Sequence, residues 1–164
     1  MKVYGKSVLG ELDDIRRMLG VCPQHDTVWP ELTAREHLNL FGTLKEVPKA
    51  DLKGEVNKRL DDVLLRDVGD NVARSYSGGM KRRLSVAISF VGTPKCVILD
   101  EPSTGLDPVS RRQLWAAIQK LKAGRCILLT THSMEEADAL GDRVAIMADG
   151  TLRCIGSPLH IKSS

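Results

Sequence analysis

Apolar residues recur along this chain with two periods, and the place where one gives way to the other divides it. Met18-Leu19-Gly20-Val21-Cys22 is a short continuous run stopped by Pro23, the texture of a buried strand. A helical region follows. Thr33 and Glu36 form a T-x-x-E capping box ahead of Leu38, Leu40 and Phe41, and Leu52, Val56, Leu60, Val63 and Leu64 then recur at helical spacing. Met80, Leu84, Ala87, Ile88 and Val91 make an i, i+4, i+7, i+8, i+11 stripe that Gly92 and Pro94 stop.

From Lys95 the period changes. Cys96-Val97-Ile98-Leu99, Cys126-Ile127-Leu128-Leu129 and Val144-Ala145-Ile146-Met147 are continuous apolar runs of strand length. Asp107-Pro108 supplies an N-cap and a first helical residue for a helix through Leu114, Ile118 and Leu121 to Gly124. Ser133 and Glu136 cap a shorter helix ending near Gly141, and Asp149-Gly150 turns the chain into Thr151 to Ile155 as an antiparallel return. Strand–helix–strand–helix–strand from 95 to 147 predicts a parallel sheet. The expected class is α/β, with a core from residues 1–30 and 94–164 interrupted by a helical insertion over 31–93.

Composition narrows the reading only slightly. The 164 residues suffice for one domain, with 42% hydrophobic and 27% charged positions. A net charge of +3 is too mild to argue for nucleic acid. Lys81-Arg82-Arg83 and Arg111-Arg112 are accordingly read as solvated or docking surface, and no nucleic-acid partner is expected. No apolar run approaches the roughly 18 residues that cross a bilayer, and no apolar h-region follows Lys2. Cys22, Cys96, Cys126 and Cys154 show no C-x-x-C spacing, and each sits in or beside an apolar stretch. They are expected to be reduced core residues, neither metal ligands nor disulfides.

Three segments carry candidate chemistry. The strand ending in Asp100-Glu101-Pro102 places two carboxylates at the sheet's carboxyl edge, where α/β folds bind ligands. There, Asp100 could hold Mg²⁺ through water while Glu101 polarises an attacking water; a strand that merely ends in acidic residues is the plain alternative. Tyr76-Ser77-Gly78-Gly79-Met80 opens a helix with two glycines, which favours close approach of an anion to exposed N–H groups or is simply a glycine-rich N-cap. His132, after Thr130-Thr131 at another carboxyl edge, could hydrogen-bond a phosphate or serve only structure.

In order and spacing these residues resemble the ABC ATPase family, and the resemblance covers essentially the whole chain. Ser77-Gly78-Gly79 is similar to the signature motif, with Tyr76 and Met80 where Leu and Gln are commoner. Asp100-Glu101-Pro102 resembles Walker B with the catalytic glutamate, Ser103-Thr104-Gly105-Leu106-Asp107 the D-loop, and His132 the switch histidine. Gln24, after Val21-Cys22-Pro23, matches the Q-loop glutamine, which senses Mg²⁺ and the transport domains. Gly20 to Asp26, Tyr76 to Arg83, and Arg153 to Ser157 resemble the A subfamily, mostly large eukaryotic lipid transporters.

The resemblance implies a P-loop NTPase (RecA-like) core with an inserted helical signature subdomain. It implies ATP and Mg²⁺ as ligands and ATP hydrolysis coupled to transport. Glu101 and His132 would be catalytic, Gln24, Ser77, Gly78, Gly79 and Asp107 would bind nucleotide, and Asp100 and Gln24 would hold Mg²⁺ through water. The implied partners are transmembrane domains and a second nucleotide-binding domain in a head-to-tail dimer, at the cytoplasmic face of a membrane. The family's phosphate loop, G-x-x-x-x-G-K-[ST], has no match here. Gly5-Lys6-Ser7 invites one but lacks the earlier glycine and a preceding apolar strand, and is read as a decoy. The N-terminal part of the core is therefore expected to be missing and the chain by itself inactive. A soluble ABC ATPase without a transport partner, or a non-catalytic fragment donating its signature to another subunit, stays open at this stage.

Overall fold

The computed structural model describes residues 2–162, so residues 1, 163 and 164, which the expected core segments include, lie outside it. Two compact units divide at Thr130 and Thr131. The first opens with β1 (Lys2–Val3) and β2 (Lys6–Ser7), a two-stranded antiparallel ribbon, and α1 (Leu12–Met18). It continues with β3 (Leu19–Cys22), α2 (Ala34–Leu44), α3 (Lys49–Asp62), α4 (Gly78–Ser89), β4 (Cys96–Asp100), α5 (Pro108–Leu121) and β5 (Cys126–Thr130). The second holds α6 (Met134–Leu140), β6 (Val144–Ala148), β7 (Thr151–Gly156) and α7 (Pro158–Lys162).

The mixed α/β class is as the alternation of runs predicts. β3, β4 and β5 form a parallel sheet in that order, Leu19 opposite Cys96 and Cys96 opposite Cys126. β6 corrects one expectation. It pairs antiparallel with β7 in a two-stranded sheet, closed by Asp149 and Gly150, both left-handed at φ 52° and 72°. Alternating strands and helices set strand direction; they do not say which strands become neighbours.

The caps follow the sequence closely. Thr33 accepts from the Glu36 amide while the Glu36 carboxylate accepts from the Thr33 N–H, and Asp107 caps α5 with Pro108 as its first residue. The apolar stripes of α2, α3 and α4 meet in one cluster of Ala34, Leu38, Val56, Leu60, Leu84, Ala87, Ile88 and Val91. Leu64 departs from its expected place: α3 ends at Asp62, Leu64 turns left-handed at φ 57°, and its side chain is 63% exposed. Nothing periodic announces α1. Its signal is charge, Asp13 and Asp14 in the first turn and Arg16 and Arg17 in the last, which complements the helix dipole.

A buried ion-pair cluster ties α3 to its surroundings. Arg59, 1% exposed, donates to Glu55 at 2.9 Å and to Asp62 at 3.0 Å. Lys120 of α5 reaches the other oxygen of Asp62 at 2.7 Å, and Glu55 accepts the Gly92 N–H at 3.2 Å. Each buried charge thus has partners, without which burial would be prohibitive.

Cys22 is fully buried, and burial pushes its thiol up to about 11. The other cysteines correct the expectation of core residues: Cys96 and Cys154 are half-buried and Cys126 is exposed. Cys126 opens β5, which among the described residues is an edge strand of its sheet, and whose Leu128 is 59% exposed.

Gly20 is where the sheet and α4 come closest. A Cβ built there would lie 1.9 Å from the Ser89 carbonyl oxygen and 2.9 Å from its carbon, both backbone atoms that no rotamer change can move aside. Gly20→Ala is expected to cost about 3 kcal/mol and to lower the thermal midpoint by roughly 10 °C, read by circular dichroism on heating. An unchanged midpoint would mean that β3 and α4 are not packed this closely.

Candidate functional site

Asp100 ends β4 in register with Thr130, the last residue of β5. Glu101 then leaves the strand with φ 43°, a left-handed conformation that costs a non-glycine residue on the order of 1–3 kcal/mol and swings its side chain away from the strand's alternation. Thr130 holds both acidic residues. Its hydroxyl donates to Asp100 Oδ1 at 2.5 Å, and its hydroxyl and carbonyl oxygens each accept the Glu101 N–H at 3.1 Å. Glu101 Oε2 in turn accepts from the Gln24 amide at 3.1 Å and from the Thr104 hydroxyl at 3.1 Å. Gln24 reaches it from the loop after β3, 77 residues away in sequence. One hydrogen-bond network therefore joins the predicted Gln24, Asp100 and Glu101 at the carboxyl edge of the parallel sheet.

Beneath that network lies Arg82 of α4, 4% exposed. Its Nε donates to the Pro102 carbonyl at 2.7 Å, one terminal nitrogen to Pro23 at 2.6 Å and Gln24 at 3.1 Å, and the other to Asp100 at 2.8 Å and Glu101 at 3.2 Å. All five guanidinium N–H groups are thus used on backbone carbonyls, and Asp26 at 3.5 Å supplies the counter-charge. The expectation that Lys81-Arg82-Arg83 is solvated fails for two of the three. Arg83 is 8% exposed and donates to the Val63 carbonyl at 3.2 Å. Their aliphatic stems continue the buried side of α4 while the guanidinium heads find carbonyls, a combination that a charge run does not reveal.

The predicted signature helix begins at Gly78, with Ser77 as its N-cap accepting from the Met80 N–H at 3.3 Å. Tyr76, 5% exposed, joins the helical core and donates its hydroxyl to the Val68 carbonyl at 2.6 Å, so the polar end is satisfied where a leucine would need no partner. The two glycines are not alike. A Cβ on Gly78 would meet nothing within 4 Å, whereas one on Gly79 would fall 2.4 Å from Ser110 Oγ and 2.8 Å from its Cβ in α5. Gly79 is therefore required by packing inside the chain, and Gly78 opens onto solvent. Asp107 uses Oδ1 to cap α5, accepting from the Val109 and Ser110 N–H groups at 2.9 and 3.0 Å, and the hydrogen bonds from Ser110 hold its carboxyl below the usual carboxylate range.

His132 belongs to the second unit, exposed, just before the Ser133 N-cap of α6. Lys6 lies on β2 after the left-handed Tyr4-Gly5 turn, and its ammonium is paired with Asp14 at 2.5 Å and Glu11 at 3.5 Å. A phosphate loop presents its lysine where a strand runs through a glycine loop into a helix, an arrangement this antiparallel ribbon lacks. Sequence reasoning missed Thr130, Thr104 and Arg82 as members of the site. Thr130 lies at the end of an apolar run, the position that faces Asp100 in a parallel neighbour, and that register was its only available signal.

Comparison with known proteins places the chain in a family. A sequence model of the family described as ABC transporter matches residues 1–104. The chain is 53% identical over 163 residues to ABC transporter A family member 2 of Arabidopsis thaliana, covering 98% of this chain and 17% of that protein. It is 54% identical over 164 residues to A family member 9 of the same plant, covering 99% of this chain and 17% of the relative. It is 47% identical over 162 residues to ATP-binding cassette sub-family A member 2 of Homo sapiens, covering 99% of this chain and 7% of the relative. The chain thus spans a small part of the length of these relatives. It belongs to the ABC transporter family, and within that family it stands with the A members.

Proposed function

We propose that this chain forms most of an ATP-binding and ATP-hydrolysing domain of an A-type ABC membrane transporter, and that the complete transporter moves lipids. The observation that carries the reading is the single network joining Gln24, Asp100 and Glu101. Its donor set is oxygen-rich and fits a hard divalent cation. Mg²⁺ is commonly carried by one or two carboxylates with water and phosphate oxygens, a role open to Asp100 here. Asp100 and Gln24 would hold it through water, and when bound it neutralises charge on the phosphates. Glu101 takes the proton of the attacking water, and His132 donates a hydrogen bond to the γ-phosphate. Ser77, Gly78 and Gly79, with the α4 amides, face ATP held by a second nucleotide-binding domain, and Asp107 belongs to the same composite site. The division of the domain follows the sequence, a core of 1–30 and 94–164 around a helical subdomain of 31–93.

No helix among the described residues is long and apolar enough to cross a membrane. The partners in this reading are transmembrane domains and a second nucleotide-binding domain, with this domain at the cytoplasmic face of a membrane. The lipid cargo rests on the A-type residues around Gln24, Ser77 and Cys154. The test uses the complete polypeptide in lipid vesicles: MgATP should drive labelled lipid from one leaflet to the other. ATP hydrolysis without any lipid movement would remove the cargo assignment and leave the ATPase.

The 164 residues alone should neither hydrolyse ATP nor bind it tightly. They contain no G-x-x-x-x-G-K-[ST] run to cradle the phosphates, and Lys6 is engaged by Asp14 and Glu11. Calorimetric titration with MgATP should give no heat of binding at micromolar concentrations. Stoichiometric binding lost in Lys6→Ala would show Gly5-Lys6-Ser7 to be a working phosphate loop.

A further inference from the structure

Resting on that reading of the site, we infer that Arg82 is a positioning residue for hydrolysis, locking the Gln24 loop and the Asp100-Glu101 turn to the helix that presents Ser77, Gly78 and Gly79. Three stretches of backbone that are remote in sequence converge on one guanidinium: Pro23 and Gln24 after β3, Asp100 to Pro102 after β4, and Arg82 itself, one turn into α4. The first two stretches carry the side chains proposed to handle Mg²⁺ and the water's proton. The helix carrying Arg82 begins at the glycines proposed to meet the second domain's nucleotide.

The geometry is specific to arginine. Five carbonyls surround five N–H groups fixed in one plane, and a lysine ammonium at the same place has three donors radiating from a point. Arg82 touches neither Asp100 nor Glu101 through their carboxylates. It holds their carbonyls, so it sets where the chain turns and leaves the charge of the site to its own network. Glu101 sits at φ 43°, off the favoured backbone regions, and a turn of that kind persists only where its surroundings fix it. The bonds from Arg82 to the carbonyls of Asp100, Glu101 and Pro102 bracket that turn. Because the same guanidinium holds the Gln24 carbonyl, a shift of α4 against the sheet moves the Glu101 turn and the Gln24 loop together.

The test is a kinetic cycle on the complete transporter in vesicles, with rates expressed per ATP-binding site. Arg82→Lys keeps the charge near Asp26 and loses the planar array. Its kcat for ATP hydrolysis should fall about 10- to 100-fold while KM for ATP stays within about twofold, since small misplacement at a reacting centre costs rate before binding. Arg82→Gln, which places fewer donors and no charge, is measured beside it in case the lysine variant does not accumulate. Each is combined with Gln24→Ala. If Arg82 acts by placing the Gln24 loop and the Glu101 turn, the double variant should be little slower than the slower single one; independent effects would multiply. Wild-type kcat in the arginine variants, multiplicative loss with Gln24→Ala, or failure of both variants to fold would each overturn the inference, the last by making Arg82 a folding residue. Glu101→Gln in the same preparation separates the two readings. If it turns over at the wild-type rate, the function proposed for the site fails; if it is inactive while Arg82→Lys is not, the Arg82 inference alone falls.

Discussion

Glu101→Gln in the complete transporter should leave ATP bound and slow its hydrolysis by about 10²- to 10⁴-fold, the range that a positioned general base contributes. The substitution isolates basicity from architecture. A glutamine side-chain oxygen still accepts from Thr104 and Gln24, both of which donate to Glu101 at 3.1 Å, and its backbone N–H still reaches Thr130. The left-handed turn at φ 43° is a property of the backbone and its bonds, and the substitution adds no branching at Cβ to disturb it. What disappears is the carboxylate that takes a proton from water. The expected record is a low rate of phosphate release together with nucleotide retained through washing. A rate near wild type would transfer the role of base to another group. Glu101→Ala, by contrast, deletes the acceptor for Gln24 and Thr104 and should combine the kinetic loss with a looser Gln24 loop.

Gly78→Asp should lower ATP-driven association with the second nucleotide-binding domain by about three orders of magnitude while leaving the domain folded. The two parts of the prediction have opposite electrostatic signs. Gly78 has no neighbour within 4 Å of a would-be Cβ, so the chain itself accommodates the side chain. A carboxylate in the first turn of α4 even favours that helix through its dipole. In the closed dimer the same carboxylate would stand where the γ-phosphate of the other domain's ATP belongs. Two like charges about 4 Å apart cost on the order of 4 kcal/mol at an effective dielectric near 20. Cross-linking of ATP-bound dimers reads the effect, and undiminished cross-linking would remove the composite site. Gly79→Asp is not an equivalent experiment, because it collides with Ser110 of α5 and confounds association with packing.

Much of this architecture was legible because it is local. Capping pairs such as Thr33 with Glu36 and Asp107 with Pro108 act within one turn, and the stripe from Met80 to Val91 states which side of α4 is buried. The carboxylates of Asp100 and Glu101 were legible because a strand of apolar residues ends on them. The parts that stayed hidden depend on partners far away in sequence. Arg82 reads as one more cation in Lys81-Arg82-Arg83 until carbonyls from two other segments surround it. Thr130 reads as a strand end until its register with Asp100 is known. Gly78 and Gly79 read as a pair, and only the position of Ser110 in α5 separates a packing requirement from an open approach. Lys6 shows the converse: a motif-like triplet loses its meaning once the ribbon that carries it is seen.

The open side of β5 governs how this chain behaves in a test tube. Among the described residues β5 is an edge strand of its three-stranded sheet, with Leu128 59% exposed and Cys126 exposed at the start of the strand. Such an edge is a template for any extended segment at hand, and in a concentrated sample the most abundant one is another copy of the same chain. Self-association then grows with concentration and competes with folding during preparation. The exposed thiol of Cys126 adds a route by which transient neighbours become covalently joined in air. Dilute, reducing conditions, or a lysine introduced at Leu128 as a gatekeeper, work against precipitation by raising the cost of strand addition without touching Asp100, Glu101 or Gln24.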